Sequence, residues 1–505
     1  MQPLKRRHKL FYNALASCIN QLVIFSCGLI LPRLIILHYG SATNGLISSI
    51  TQFLAFFAMT EMGVGAVVRA SLYKPLASHD EEEVSKILVS SKQFFSKIGW
   101  MLCVYTLVLM FYFPLFVDHS NGYFGTAVLV GAIAFGSISS YLFGIIYVQL
   151  LNADQRSYIQ LIIATLTTIL NTCLAVSLIY MNADVEIMKL LSAFVFLIKP
   201  FLLHWYVNRH YHLNLKIQFV GEPIKQKWNG LAQHIATYVL KHVDVVILTW
   251  FSSLANVSIY YVYHLVTNGL YSLVEILNTG TLALFGDMLA RKETAKLNTA
   301  FAVFEMLLHA AVTFLYAVAG MLILPFVRVY TQGIADANYI VPTFAVVILL
   351  ASGAFCLRFP YNMMILAAGH FKQTQNSAII EAILNIIVSI SLVVKYGLVG
   401  VAVGTFVAMT YRTIYLAWYL RNNILNWPFS KFLQHIVVDI MCVVAVIVTT
   451  CSFRMESISW GHWIVCACKT TLVGGATVAV IQVLFYHALL KDIYHFIFRK
   501  KGWSN

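Results

Sequence analysis

Residues 228–250 read WNGLAQHIATYVLKHVDVVILTW. The run is long enough to cross a bilayer, yet it carries Lys241 and Asp244 near its middle. Helical spacing puts His234, Tyr238, Lys241 and Asp244 on one face, with mostly apolar residues elsewhere. A charge in hydrocarbon costs about 2.5–3.5 kcal/mol on the insertion scale, so this face should look into a helix bundle or a wet cavity. One reading is a self-neutralising Lys–Asp pair, three residues apart, that holds helices together. The other is part of a substrate or ion site, and the histidine and tyrosine that extend the face favour it.

Working outward, the whole chain is of this kind. Its 505 residues are 60% hydrophobic and only 11% charged, against about 25% charged in a soluble domain. Apolar runs of bilayer length recur throughout, which predicts an all-α polytopic membrane protein. The net charge of +14 raises the question of nucleic acid. The basic residues sit in short loops between apolar runs, where the positive-inside rule places them, so no nucleic-acid partner is expected. The first apolar run lacks a small-residue cleavage site and is too long for a signal h-region, so it reads as a retained helix. The nine cysteines are scattered, mostly singly, inside apolar segments and read as small buried hydrophobes. No metal site is expected.

Fourteen spans are predicted, near 11–38, 44–73, 93–117, 123–150, 157–181, 184–207, 228–252, 256–289, 298–327, 338–367, 373–394, 398–420, 432–453 and 460–489. Lysine and arginine placement gives both ends cytoplasmic. Lys5, Arg6, Arg7 and Lys9 precede the first span, every second loop is basic, and the opposite loops hold only Arg328, Lys395 and Arg454. Residues 74–95, KPLASHDEEEVSKILVSSKQFF, predict an amphipathic helix running into the third span, with acids at its N-terminus and a stripe of Val84, Ile87 and Leu88.

An internal repeat is visible. NTCLAVSLIY at 171–180 aligns with NIIVSISLVV at 385–394, a shift of 214, and the turns LLNADQRSYIQ and LAAGHFKQTQ upstream fall in register to within a residue. Spans 1–6 and 7–12 therefore read as two parallel copies, a lobe at 1–220 and a lobe at 221–428, with spans 13–14 and a cytoplasmic tail at 429–505. Two six-helix lobes are expected to face a central cavity and to work by alternating access.

Polar residues form stripes within the spans. Candidate cavity cations are Arg33, Arg69, Lys241, Arg358 and Arg412; as a set they suit an anionic group such as a phosphate. Candidate cavity or coupling groups are Asn20, Glu61, His234, Tyr238, Asp244, Asn268, Tyr271, Glu275 and Asn278, the acids being able to pair with the cations or take a proton or sodium ion. For each Asn alone, interhelical hydrogen bonding is the simpler reading. Glu305–His309 and Glu381–Asn385, each one turn apart, read equally as packing pairs or functional groups, and Lys199 reads as a snorkelling cation. No P-loop, HExxH or nucleophile elbow occurs, so the chain does not read as an enzyme and no cofactor is expected.

Residues 39–68 (YGSATNGLISSITQFLAFFAMTEMGVGAVV), 241–266 (KHVDVVILTWFSSLANVSIYYVYHLV), 330–342 (YTQGIADANYIVP) and 357–413 resemble the Wzx-type oligosaccharide-lipid flippases of the multidrug/oligosaccharidyl-lipid/polysaccharide exporter superfamily. The likeness is spread over residues 10–425 and has no short signature. It implies two six-helix lobes plus two extra helices in a bacterial cytoplasmic membrane. It also implies transfer of an undecaprenyl-pyrophosphate-linked oligosaccharide from the inner to the outer leaflet for capsule or surface polysaccharide synthesis. Membrane lipid would be in contact throughout, and a polysaccharide polymerase complex is a candidate partner. In the related lipid II flippases, arginines of the first lobe and of helix 8 engage the diphosphate. Arg33 and Arg69 stand roughly where the first-lobe cations would, whereas span 8 offers only Glu275. The competing readings are an ion-coupled multidrug exporter of the same superfamily and a membrane-embedded polysaccharide polymerase or ligase. The predicted cations and extra spans weigh against the first; outer loops as short as 39–43 weigh against the second.

Overall fold

The computed structural model describes residues 6–118, 122–217, 231–278, 280–425 and 427–498. All regular structure among them is helical. Ten helical segments there are long and apolar enough to cross a membrane, and one of them, Phe371–Asn423, carries two predicted spans. They expose large apolar side chains such as Phe116, Phe124, Val394 and Leu472, as expected where the surroundings are lipid and not water.

The first compact unit runs to Ser258. It contains α1 (Arg6–Ala55), α2 (Ala58–Ala77), α3 (Glu81–Phe116), α4 (Gly122–Ser139), α5 (Ile145–Ala153), α6 (Ser157–Tyr180), α7 (Val185–His210) and α8 (Leu231–Phe251). Helix α1 carries the first predicted span and the start of the second, whose remainder is α2, and it breaks at Gly40, whose φ of 88° lies outside the helical region. A single π turn at Ser140–Gly144 joins α4 to α5. Helix α3 begins where the acidic run predicts: Asp80 caps it by accepting from the Glu83 amide at 2.9 Å, and Val84, Ile87 and Leu88 are buried. Helix α8, the predicted start of the second lobe, packs on α1 and α2 in this unit. The reason lies in its polar groups: Thr249 shares a hydrogen bond with Ser49 at 2.7 Å, and His242 bonds Gln52.

The second unit begins at Ile259, within α9 (Leu254–Asn278). It continues through α10 (Thr281–Ala290), α11 (Thr294–Tyr330), α12 (Pro342–Leu357), α13 (Phe359–Ala367), α14 (Phe371–Asn423), α15 (Phe429–Thr450) and α16 (Trp460–Phe498). Straight, α14 would reach about 80 Å, over twice a bilayer's hydrocarbon thickness. It breaks at Gly397 (φ 53°, ψ −129°) and doubles back. The close return is set by Gly400 and Gly404, which leave no room for a Cβ against Leu392 and Ser389, the small-residue spacing of packed membrane helices. Helices α15 and α16 pack on α11 and on each other.

The repeat is written into the backbone turns. His79 and Lys292, Gln155 and Gly369, and Asn182 and Gly397 all have positive φ, at offsets of 213, 214 and 215 residues. At the middle pair the same hydrogen bonds recur: Arg156 N–H to Leu151 C=O at 2.8 Å, and His370 N–H to Ile365 C=O at 3.1 Å. Both are helix-ending turns in which a left-handed residue lets the next amide reach back to an orphan carbonyl.

Candidate functional site

In the first unit, the cytoplasm-predicted end of α1 is stapled to the α5–α6 turn. Lys9 Nζ pairs with Asp154 Oδ1 at 3.0 Å, Asn13 Nδ2 donates to the Gln155 carbonyl, and Asn13 Oδ1 accepts from the Tyr158 amide. The Tyr211 hydroxyl donates to the other Asp154 oxygen at 2.6 Å. Burial, reinforced by that carboxylate, pushes the Tyr211 phenol well above its ordinary range, so it remains a donor. Asn20 accepts from Thr165 at 3.0 Å, the interhelical glue expected of it.

Arg33 is half-buried on α1. Arg69, half-buried on α2, donates from Nη1 to Gln149 Oε1 of α5 at 3.1 Å. The partner in that contact is a neutral amide. Tyr238 stacks with His242 at 4.0 Å between ring centroids, and Asp244 is buried. His242 was missing from the predicted face, although it stands one turn beyond Tyr238. The side chains of Glu61, His234 and Lys241 lie outside the described residues. Lys199 lines a cavity of about 290 Å³ with Ser137, Ser140 and Phe196, beside the π turn.

In the second unit, Asn268 and Glu275 are exposed on α9, and Asn278 is half-buried. The Tyr271 hydroxyl donates to Glu275 at 3.1 Å, and its ring packs edge-on against Phe355 and Phe359. The other two predicted cations meet a carboxylate. Arg358, at the joint of α12 and α13, donates to Glu381 Oε1 at 2.5 Å; Arg412 donates to Glu381 Oε2 at 2.7 Å. All three side chains are buried, and Arg358 also lies 3.8 Å from the Phe355 ring centroid. The sequence pattern had paired Glu381 with Asn385 on its own helix. Asn385 instead accepts from Ser389 at 2.8 Å, while Glu381 reaches across to two arginines. Arg358 and Arg412 thus form a buried clamp within this unit, with Glu381 between them.

The sequence matches no protein-family model and no curated protein. Solved structures do match. A lipid II flippase, MurJ, in an inward closed conformation aligns with TM-score 0.70 at 15% identity, over 94% of this chain and 100% of that one. An inward-facing multidrug resistance MATE family transporter of the MOP superfamily aligns with TM-score 0.58 at 14% identity, over 80% and 97%. A MOP superfamily transporter from Pyrococcus furiosus aligns with TM-score 0.58 at 13% identity, over 83% and 96%. The fold is that of the MOP transporters. At these identities the likeness is one of fold, and the chain is a multi-pass membrane protein with this architecture.

Proposed function

We propose that this MOP-fold protein is a flippase for a polyprenyl-pyrophosphate-linked oligosaccharide. It would carry undecaprenyl-pyrophosphate repeat units from the inner to the outer leaflet of a bacterial cytoplasmic membrane, for surface polysaccharide. The observation that supports this most is coverage: the likeness to the lipid II flippase takes in 94% of the chain, against 80–86% for the multidrug exporters. The chemistry agrees. A pyrophosphate and a hydroxyl-rich glycan cannot enter hydrocarbon without fixed partners. Arg69 offers a cationic donor in the first unit, with Arg33 and Lys241 as further candidates. The polyprenyl tail needs only apolar helix faces, such as those exposed on α15 and α16 at Val437, Val444, Leu472 and Leu484. Alternating access is the proposed motion and a proton or sodium ion the proposed coupling partner. A cation-coupled drug exporter is the second reading, favoured by the exporter neighbours.

The test is transbilayer movement of an undecaprenyl-pyrophosphate oligosaccharide in proteoliposomes. Wild type should move it. Arg69→Ala should retain abundance and lose about ten- to hundred-fold in rate, the worth of one charge-assisted contact of about 1.5–3 kcal/mol. Movement of a cationic dye down to equilibrium with none of the lipid would place the protein among the exporters.

A further inference from the structure

Away from the clamp, the second unit buries a second polar cluster where α11, α13, α15 and α16 meet. Glu305 and His309 come from α11, Tyr361 from α13, His435 and Asp439 from α15, and Tyr486 from α16; all six are buried. Trp427, just before α15, donates from Nε1 to Glu305 Oε2 at 2.9 Å. Tyr361 donates to Glu305 Oε1 at 2.7 Å. His309 Nδ1 bonds Asp439 Oδ2 at 2.7 Å, and Thr313 donates to Asp439 Oδ1 at 2.7 Å. His309 Nε2 lies 3.2 Å from the Tyr361 oxygen. His435 has Nδ1 2.7 Å from the Tyr486 hydroxyl and Nε2 3.5 Å from Glu305 Oε2. The two imidazoles stack at 4.8 Å between centroids. Cys442 follows one turn after Asp439, and Lys431 lies 3.8 Å from the Trp427 ring centroid.

Every carboxylate oxygen here already meets a hydrogen-bond donor or an imidazole nitrogen. What varies is where the protons sit. Tyr361 has one proton. While it donates to Glu305 Oε1, its oxygen can only accept from His309, so His309 carries hydrogens on both nitrogens and faces the Asp439 carboxylate as an imidazolium. Trp427 can only donate, so Oε2 is held as an acceptor and Oε1 is the oxygen free to take a proton. Stacked imidazoliums repel each other, while two buried carboxylates attract both.

We infer that Glu305, Tyr361, His309 and Asp439 form a proton-binding relay, in which one proton passes between His309 and Glu305 through the Tyr361 hydroxyl. In the forward step the His309 Nε2–H bond breaks and its proton goes to the Tyr361 oxygen. The original Tyr361 proton goes to Glu305 Oε1. The products are a neutral Glu305 carboxyl and a neutral His309 that keeps Nδ1–H on Asp439. No electron moves and no co-reactant is needed. His435, between Tyr486 and Glu305 and stacked on His309, is the second imidazole facing the same carboxylate. The relay rests on the second unit alone and does not depend on the lipid substrate.

The test is infrared difference spectroscopy of the purified full chain without substrate, titrated across the imidazole range of about pH 5–8. The relay predicts a carboxylic-acid carbonyl band that changes with pH and shifts in D2O. Glu305→Gln should abolish it. Tyr361→Phe keeps the ring and removes the hydroxyl, and should displace the midpoint. A wild-type spectrum without a pH-dependent band, or the same band in Glu305→Gln, overturns the relay. Should Glu305→Gln fail to fold, Tyr361→Phe decides: a titration superimposable on wild type overturns it, and a displaced one supports it. Failure of lipid movement in proteoliposomes leaves this result untouched, and the converse also holds.

Discussion

Glu381→Gln should unfold the second unit far more readily than its size suggests. The amide has the shape of the carboxylate but one acceptor oxygen where Arg358 and Arg412 each need their own. Its NH2 must point at a guanidinium that is itself only a donor. One arginine, 5% exposed, is then left charged without its carboxylate oxygen, and Arg412 Nε already has no hydrogen-bond partner among the described residues. Breaking a buried pair in this way costs about 3–5 kcal/mol, close to a thousand-fold in the folded-to-unfolded ratio at the middle of that range. The assay is unfolding in detergent, read by reaction of the fully buried Cys356 thiol, two residues before Arg358. Adding Arg412→Met should restore at least about 1 kcal/mol, because it removes the stranded charge. A Glu381→Gln protein within about 1 kcal/mol of wild type would refute the clamp. It would mean that water or an anionic substrate already serves the guanidinium groups, and Arg358 and Arg412 would return to the cavity.

Three smaller perturbations follow from local geometry. Gly404→Ala would press a Cβ onto Ser389 and should cost about 1–3 kcal/mol in detergent unfolding; an unchanged midpoint would mean that the two arms of α14 do not approach this closely. Gly369→Gln should cost about 1–2 kcal/mol for its left-handed backbone, whereas Gln155→Gly at the matching turn should be neutral to stabilising, and the same sign for both would contradict the repeat. Asp80→Ala should remove about 1 kcal/mol of capping and speed hydrogen exchange at the Glu83 amide, with transport unaffected.

The helices were legible because their causes are local. A bilayer demands apolar runs of fixed length, and lysines and arginines gather in the loops between them. Asp80 announces its helix within four residues. The repeat was legible at 171–180 and 385–394, and the structure extends it to turns where sequence identity is lost, since Gln155 and Gly369 share a backbone conformation and little else. The grouping of α8 with the first unit was not legible, because it depends on Ser49 and Gln52 meeting Thr249 and His242 across some two hundred residues of chain.

The same distinction governs the sites. A stripe on one helix shows which side chains share a face, not what they meet. Arg358 and Arg412 looked like cavity cations beside Arg33 and Arg69, as the four share a residue type and all lie within predicted spans. What separates them is Glu381 on another helix, whose two oxygens consume both charges. Glu305 and His309 looked like a pair one turn apart, yet each finds its strongest partners elsewhere: Trp427 and Tyr361 for the acid, Asp439 for the imidazole. Asp439 and His435 drew no notice in the sequence because α15 reads as an apolar membrane helix. Buried ionisable groups are costly enough in a membrane that they persist only where they are satisfied or used. In the clamp the carboxylate oxygens are consumed by donors that cannot release a proton at working pH. In the Glu305 cluster the partners are imidazoles and phenols, whose protons can move. That difference in partner chemistry, and not the acids themselves, is what sets one site as structure and the other as a relay.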